Sequence, residues 1–416
     1  MKITSLCLLN QSLYICLITP ENKTILENFV YTLDWVIYVL FTFSVIYLFI
    51  FSVASLLRKP QKPSVAKEYR RIAILIAAYR EDNVIQDTVK ACLAQEYPHE
   101  KFDIVVISDH MTAETNAVLK TYPIKLLQVD FEKSTNTKSL KAALSYLEQD
   151  HYDIALILDA DNYVNTTYLA DINDAFAQPG VEVVQTHRVA KNLNTDMAYL
   201  DGISEEINNS IFRMGHINLG MSAALIGSGM AFHYPIFYAA MMDNQSLGGF
   251  DRVLEMKLLY NRVFFHYLPD TYVYDEKIQK SESFFLQRRR WLSAQYYSLL
   301  EFARKLPIAI LQRKWDFCDK LYQQASFSRV LLLGLIFVFA IFLSFATPAL
   351  AYKWWITFGV LLMALALAIP RRLWTVRMIK AIMLVPYSFI LMFANLFYIK
   401  SANKKFIHTT HGVDNK

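Results

Sequence analysis

Apolar and polar positions follow three rhythms along this chain. Residues 35–57 form an apolar run with no charged side chain, and residues 330–350 and 382–399 repeat that pattern near the other end. A bilayer-crossing helix needs about 20 such residues, with ~17 as the lower limit, so each of the three is long enough. A further run, 354–369, is short and either spans or re-enters. Between residues 60 and 302 the rhythm changes. Short apolar stretches at 72–78, 104–107, 124–129, 154–158 and 181–189 read as strands, and the segments 83–95, 112–120 and 139–147 show helical spacing. Strand, helix, strand, repeated, implies a parallel sheet with right-handed crossovers. Beyond it, 194–214 and 252–260 read as helices and 226–232 as a glycine-bracketed turn. The segment 283–310 has bulky apolar residues at helical spacing and suits a helix lying in the membrane interface.

The stretch 154–158 holds no polar residue, as expected of a strand buried on both faces, and it runs straight into Asp159-Ala160-Asp161. In open α/β sheets, ligands bind beyond the carboxyl ends of strands. The other strands also end in polar residues: Tyr79-Arg80-Glu81-Asp82, then Ser108-Asp109-His110, then Lys133 to Lys138. Two carboxylates one residue apart suit Mg²⁺ or Mn²⁺, which keep places open for substrate phosphates. The alternative is a turn in which one Asp caps a helix. Neither G-x-G-x-x-G nor G-x-x-x-x-G-K-[ST] is present, so phosphates would fall to a metal and to side chains. Asp251, after Gly248-Gly249-Phe250, is either the N-cap of the following helix or a general base; its position alone favours the cap. In the segment 283–292, Arg288 and Arg289 fit the polar face of an interfacial helix. Gln287 and Trp291, four apart, share a face near Arg290. An indole can stack on a sugar ring, and a guanidinium binds a diphosphate bidentately.

Composition sharpens the membrane reading. Of 416 residues, 54% are hydrophobic, against ~45–50% in average soluble domains, and the excess lies at the two ends. Only Lys23 stands among Glu21, Glu27 and Asp34 before the first run, whereas Arg58, Lys59, Lys62 and Lys67 follow it. The N-terminus is therefore expected outside and the central region in the cytoplasm. Arg371, Arg372, Arg377 and Lys380 place the last loop inside as well. Three further spans would leave the tail outside, yet Lys400, Lys404 and Lys405 prefer the inside. The net charge of +5 flanks the apolar segments, which favours anionic lipid headgroups over nucleic acid. Residues 3–18 are too short and lack a cleavage site, so they are not counted as a span. The four cysteines show no metal or redox spacing.

These pieces resemble membrane-embedded family-2 glycosyltransferases, the group containing cellulose, chitin, hyaluronan and poly-N-acetylglucosamine synthases. The resemblance is carried by Ala77-Ala78-Tyr79-Arg80-Glu81, Ser108-Asp109, Lys138, Asp159-Ala160-Asp161, Gly227-Ser228-Gly229, Asp251 and Gln287-Arg288-Arg289-Arg290-Trp291, in the family's order. It implies an α/β, GT-A-like nucleotide-binding domain with a mostly parallel sheet and transmembrane helices at both ends. By this similarity Ala77, Tyr79, Glu81, Asp109, Lys138 and Arg290 bind the donor. Asp159 and Asp161 hold it together with Mg²⁺ or Mn²⁺. Gly227, Ser228, Gly229, Gln287 and Trp291 border the acceptor, and Asp251 is the base. Two positions depart from the pattern: Phe250 stands where relatives carry an acid, and Ser108-Asp109-His110 replaces Asp-Asp-Gly. The tail from Lys404 to His411 resembles a terminal motif kept near the cytoplasmic domain, which implies one non-spanning segment among the last three.

The implied activity is inverting transfer of a sugar from a nucleotide donor, usually a UDP-sugar, to a polysaccharide at the cytoplasmic face of the cell membrane. Transfer of a single sugar to a lipid acceptor is the alternative, and a non-catalytic nucleotide sensor a remote one. The expected organisation is a non-cytoplasmic segment (1–28), a spanning helix (29–57) and a cytoplasmic catalytic domain (64–300). Interfacial helices (301–326), two to three spans (327–399) and a basic tail (400–416) complete it.

Overall fold

A computed structural model describes residues 20–57, 61–147, 152–279 and 281–398. The readings placed on residues 1–19, on Arg58 and Lys59 and on the tail 400–416 lie outside them.

The centre of the molecule is an eight-stranded sheet in the order β3-β2-β1-β4-β7-β6-β8-β5. Its first half is β1 (Ile72–Tyr79), β2 (Phe102–Asp109), β3 (Lys125–Val129) and β4 (Ile154–Asp159), all parallel as expected. Alternate residues of β1 serve opposite cores. Ala73 and Leu75 pack with Leu140 and Phe237 on one face, while Ile72, Ile74 and Ile76 pack with Ile85 and Ile172 on the other. That two-sided burial is why the strands read as continuous apolar runs. The register sets Tyr79 opposite Asp109 and Ala77 opposite Asp159, so the polar strand ends form one rim.

The second half is mixed. β5 (Tyr163–Val164), β6 (Val183–Ala190), β7 (Met230–His233) and β8 (Phe265–Asp275) combine antiparallel pairs with one parallel pair, β6–β8. Only β6 was expected from the pattern. β7 is four residues long and starts inside the glycine turn. β8 is interrupted by Pro269 and Asp270 where its register against β6 shifts, and such a bulge hides a strand's period.

The N-terminal helix and the helices around the sheet come next, three of them started by polar side-chain caps. They are α1 (Pro20–Ser55), α2 (Ile85–Leu93), α3 (Ala113–Leu119), α4 (Asn136–Tyr146), α5 (Tyr168–Phe176) and α6 (Asp196–Asn208). Thr112, Thr135 and Thr195 accept backbone N–H bonds at the starts of α3, α4 and α6, the usual N-cap arrangement. α6 runs on into a π-helical turn, Asn209–Gly215. There Gly215 lets the π turn lie directly on the Phe51 carbonyl of α1, where a Cβ would collide. Then come α7 (Tyr234–Met242), α8 (Phe250–Tyr260), α9 (Ser281–Phe302), α10 (Leu306–Leu311) and α11 (Trp315–Ala325).

α12 (Arg329–Ala346) and α13 (Pro348–Ala368) complete a three-helix layer with α1. All three are long and apolar enough to cross a membrane. The run read as short at 354–369 is a correction: α13 starts at Pro348 and has 21 residues, about 30 Å at 1.5 Å per residue. Lys353 ended the apolar run in sequence. In the fold it is buried against Asp34 of α1, which also accepts from Trp354 Nε1 at 2.9 Å. The run at 382–399 again qualifies as a span, but it is not one unbroken helix. It forms part of α14 (Val376–Ile382) and α15 (Val385–Leu396), separated by a turn. Together these qualify as a span by length and composition. However, Leu384 packs onto the Met197, Ile278 and Phe284 cluster, and Asn395 donates to the Phe285 carbonyl of α9. α15 therefore rests against α9 at both ends.

Candidate active site

One cavity of about 450 Å³ opens along the rim of the sheet and continues to the apolar helices α1 and α12. Ala77, Tyr79, Glu81, Asp159, Asp161, Gly227, Asp251, Gln287, Arg290 and Trp291 all line it.

Asp159 and Asp161 sit in the turn that ends β4. Asn162 and Ser228 brace this turn: Asn162 Oδ1 and Ser228 Oγ accept from the Asp159 amide at 3.0 and 3.2 Å, and Ser228 also bonds Asn162. Asn162 Nδ2 donates to Asp161 Oδ1 at 3.2 Å, and the Glu276 amide to Asp161 Oδ2 at 3.3 Å. A third acid, Asp275 at the end of β8, brings its carboxylate within 4.8 Å of both. Sequence reasoning missed it because β8 was not legible. Burial alone would raise the pKa of Asp275. Arg188 at 2.7 Å and Lys277 at 2.9 Å outweigh that and hold it below the usual carboxylate range. An all-oxygen donor set at this spacing fits a hard divalent cation. Asp159, Asp161 and Asp275 together supply that set.

Asp251 is not the helix cap. Gly249 caps α8, with φ of +68° and with Ala294 of α9 where a Cβ would come within 2.7 Å. Only glycine meets both conditions without strain. Asp251 is thereby turned into the cavity, and a Cβ on Gly227 (φ +84°) would lie 3.5 Å from its Oδ2. Arg290 is largely buried. Desolvation lowers its pKa, opposed by the fields of Asp159 and Asp251, so its guanidinium stands near both carboxylates. Trp291 carries Arg288 over its ring at 4.3 Å, and Arg288 is paired with Asp201 of α6. Arg289 lies over Tyr398 at 5.1 Å. These two arginines are thus engaged by side chains of the protein.

Four residues singled out in the sequence stand outside the cavity wall. Asp109 is buried, its Oδ1 on His110 Nδ1 at 2.6 Å and its Oδ2 without a partner. Lys138 donates to the Lys133 carbonyl at 2.8 Å, while its neighbours Asn136 and Thr137 face the cavity. Ser228 works through the Asp159 turn. Gly229 is packed so closely that a Cβ would lie 2.5 Å from Thr186 Oγ1.

At the other end the cavity is lined by Ser44, Tyr47, Tyr322, Gln323, Gln324 and Arg329, none of which the sequence marked as functional. Tyr47 donates to Asp319 Oδ1 at 2.7 Å and also meets His216 at 3.0 Å, which ties α1 to α11. Beyond Leu48 and Leu332, the rings of Tyr38, Phe41, Phe339 and Trp354 pack against one another and fill the bundle.

Residues 70–294 match the model of the glycosyltransferase-like family 2. The chain is 25% identical over 255 residues to the probable glycosyltransferase YdaM of Bacillus subtilis, covering 57% of this chain and 58% of that one. It is 23% identical over 247 residues to the β-monoglucosyldiacylglycerol synthase of Synechocystis sp., covering 57% of this chain and 50% of the relative. Over 110 residues it is 32% identical to the poly-β-1,6-N-acetyl-D-glucosamine synthase of Staphylococcus aureus, a quarter of each chain. The chain thus spans about half the length of the first two relatives. Among solved structures, the mannosyltransferase PcManGT of Pyrobaculum calidifontis shares the fold, with a TM-score of 0.51 and 17% identity over 80% of this chain and 96% of that one.

Proposed function

The chain belongs to the glycosyltransferase-like family 2, and from that premise we propose that it transfers a sugar from a nucleotide donor, a UDP-sugar by its motifs, to an acceptor presented at the membrane surface. The observation that supports this most is the single cavity in which Asp159, Asp161, Asp251, Arg290 and Trp291 meet and which reaches α1 and α12.

The nucleotide binds at the strand ends, with Ala77, Tyr79 and Glu81 beside the nucleoside. Asp159 and Asp161 hold a divalent cation. When bound, that cation supplies Lewis-acid stabilisation of the leaving diphosphate. Asp251 takes the proton of the acceptor hydroxyl. The freed oxygen forms its bond to the anomeric carbon from the face opposite the diphosphate, the anomeric C–O bond breaks, and configuration inverts. Arg290 faces the charge that grows on the departing group, so its attraction is greater in the transition state than in the ground state. Gln287 and Trp291 position the acceptor sugar or alcohol.

A lipid-borne acceptor is favoured over a threaded polysaccharide. The packed rings beyond Leu48 and Leu332 support this reading, since they occupy the path a polymer would take through the bundle. Among the described residues, four helices are long and apolar enough to cross a membrane; because α15 rests on α9, the arrangement proposed is three spans, an external N-terminus and a cytoplasmic tail. Incubation of the full chain in native lipid extract with radiolabelled sugar nucleotides separates the readings. A single-sugar product that partitions into organic solvent is expected. A long water-soluble polymer would replace the lipid reading with the polysaccharide one.

A further inference from the structure

The membrane end of the cavity has a chemistry of its own. Arg329, the first residue of α12, lines it. Its Nη2 donates to the Ser204 carbonyl at 3.0 Å and to Ser204 Oγ at 3.1 Å, while Nη1 is buried with no hydrogen-bond partner. Among the described residues this guanidinium makes no ion pair. Gln324 of α11 is 3% exposed, and both its amide oxygen and its amide nitrogen are buried without partners, on the same cavity wall. Arg288, also on this wall, leaves Nε unpartnered. Buried polar groups are ordinarily satisfied, and a buried cation without a carboxylate is costly. Arg329 and Gln324 are such groups on one cavity wall, with Arg288, already paired with Asp201, beside them, and together they point to a ligand that satisfies the open positions. The remaining wall is apolar at this end, from Leu332, Met392 and Phe327.

From this combination we infer an anion subsite at the membrane end of the cavity, built by Arg329, Arg288 and Gln324, that takes a phosphate-bearing group. The guanidinium of Arg329 and the Gln324 amide donate to phosphate oxygens, and Leu332, Met392 and Phe327 accompany an attached hydrocarbon chain into the bilayer. Arg288 links the subsite to the acceptor wall because it also lies over the Trp291 ring. A lipid phosphate bound there would hold its reacting hydroxyl toward Trp291 and Asp251. The inference rests on the sugar-transfer reading of the cavity and names the acceptor class for it, but it is tested by binding alone.

The test uses the full chain in detergent, titrated with dioctanoyl phosphatidic acid, with dioctanoylglycerol (the same chains without phosphate) and with inorganic phosphate. UDP titration with Mn²⁺ in the same samples reports the donor end. Saturable binding of phosphatidic acid is expected, at least about tenfold tighter than dioctanoylglycerol. Arg329→Gln should weaken it about tenfold and Gln324→Leu roughly threefold, with Arg329→Lys intermediate and UDP affinity within a few-fold throughout. Inorganic phosphate that binds as well as phosphatidic acid, with the same Arg329 dependence, would support the anion subsite and assign it to a phosphate without acyl chains. Equal binding of phosphatidic acid and dioctanoylglycerol would overturn the inference, as would phosphatidic acid binding unchanged in both Arg329→Gln and Gln324→Leu. If Arg329→Gln does not fold, Gln324→Leu and Arg329→Lys decide it. A wild-type chain that binds phosphatidic acid but not UDP would instead strike the donor reading, so the two fail separately.

Discussion

On one side of the cavity the wall is made of strand ends, and its functional groups are acids held by short local turns. Asp159 and Asp161 stand one residue apart on β4, braced by Asn162 and Ser228, and Asp275 joins them from β8. On the other side the wall is made of helices, three of which are continuous with or packed on apolar segments long enough to span a membrane, and the groups it contributes include several cations. Arg288, Arg290 and Arg329 are carried on α9 and α12, and α6 holds two of them through Asp201 and Ser204. A sheet rim gives rigid, closely spaced carboxylates that suit a cation and a diphosphate. Long helices give reach, which suits an acceptor arriving from the bilayer. Asp251 stands between the two, on α8, and the transfer proposed above would draw on both walls.

That contrast can be broken from either side. The largest expected effect is at the meeting point. Asp251→Asn should lower turnover by roughly 10²–10⁴-fold and leave donor affinity within a few-fold, as measured by parallel turnover assays and UDP titrations. Full turnover in that variant would remove the base from the account. Next comes the far end of the bundle. Lys353→Met strands Asp34 in a buried position and should destabilise the protein by about 3–5 kcal/mol, read from denaturant or thermal unfolding in detergent, with UDP affinity of the remaining folded protein unchanged. A change in UDP affinity would show that the helix wall and the sheet wall are not separable. Asp161→Ala should weaken Mn²⁺-dependent UDP binding about 10–100-fold while sparing the Lys353-dependent stability; titration curves that overlay the wild type would count against the acid pair. The smallest effect is expected at the junction of α8 with α9. Gly249→Ala forces a side chain into a left-handed conformation against Ala294 and should cost about 1–3 kcal/mol of stability, and turnover should fall more than UDP affinity because Asp251 follows two residues later.

The same division separates what was legible in the sequence from what was not. The parallel half could be read directly because each strand is a local apolar run and each functional group follows its strand within a few residues. Asp159, Asp161, Tyr79 and Glu81 were found that way. Asp275 was not, because Pro269 and Asp270 break the pattern of the strand that delivers it. Asp251 looked like a cap, and only the left-handed Gly249 and its contact with Ala294 free it from that role. The helix half is governed by contacts between distant segments. Lys353 looked like the end of an apolar run because its partner, Asp34, lies on another helix. Arg329 drew no reading from the sequence, because its partner Ser204 lies on another helix, and the segment 382–399, long and apolar enough for a span in sequence and in the fold, gave no hint of its contact with α9. The resemblance assigned Asp109 and Lys138 to the donor; in the fold they are bonded to His110 and to the Lys133 carbonyl, beside the residues that line the cavity.

The central claim is that the acid pair at the end of β4 binds a sugar nucleotide through a divalent cation for transfer. It is tested most directly by measuring nucleoside diphosphate release from a panel of UDP- and GDP-sugars by the purified full chain in lipid, with Mn²⁺ and with chelator. The account predicts release from at least one UDP-sugar that is lost with chelator and in Asp161→Ala. Release that ignores both chelator and the substitution, or no release from any donor in the panel, would contradict it.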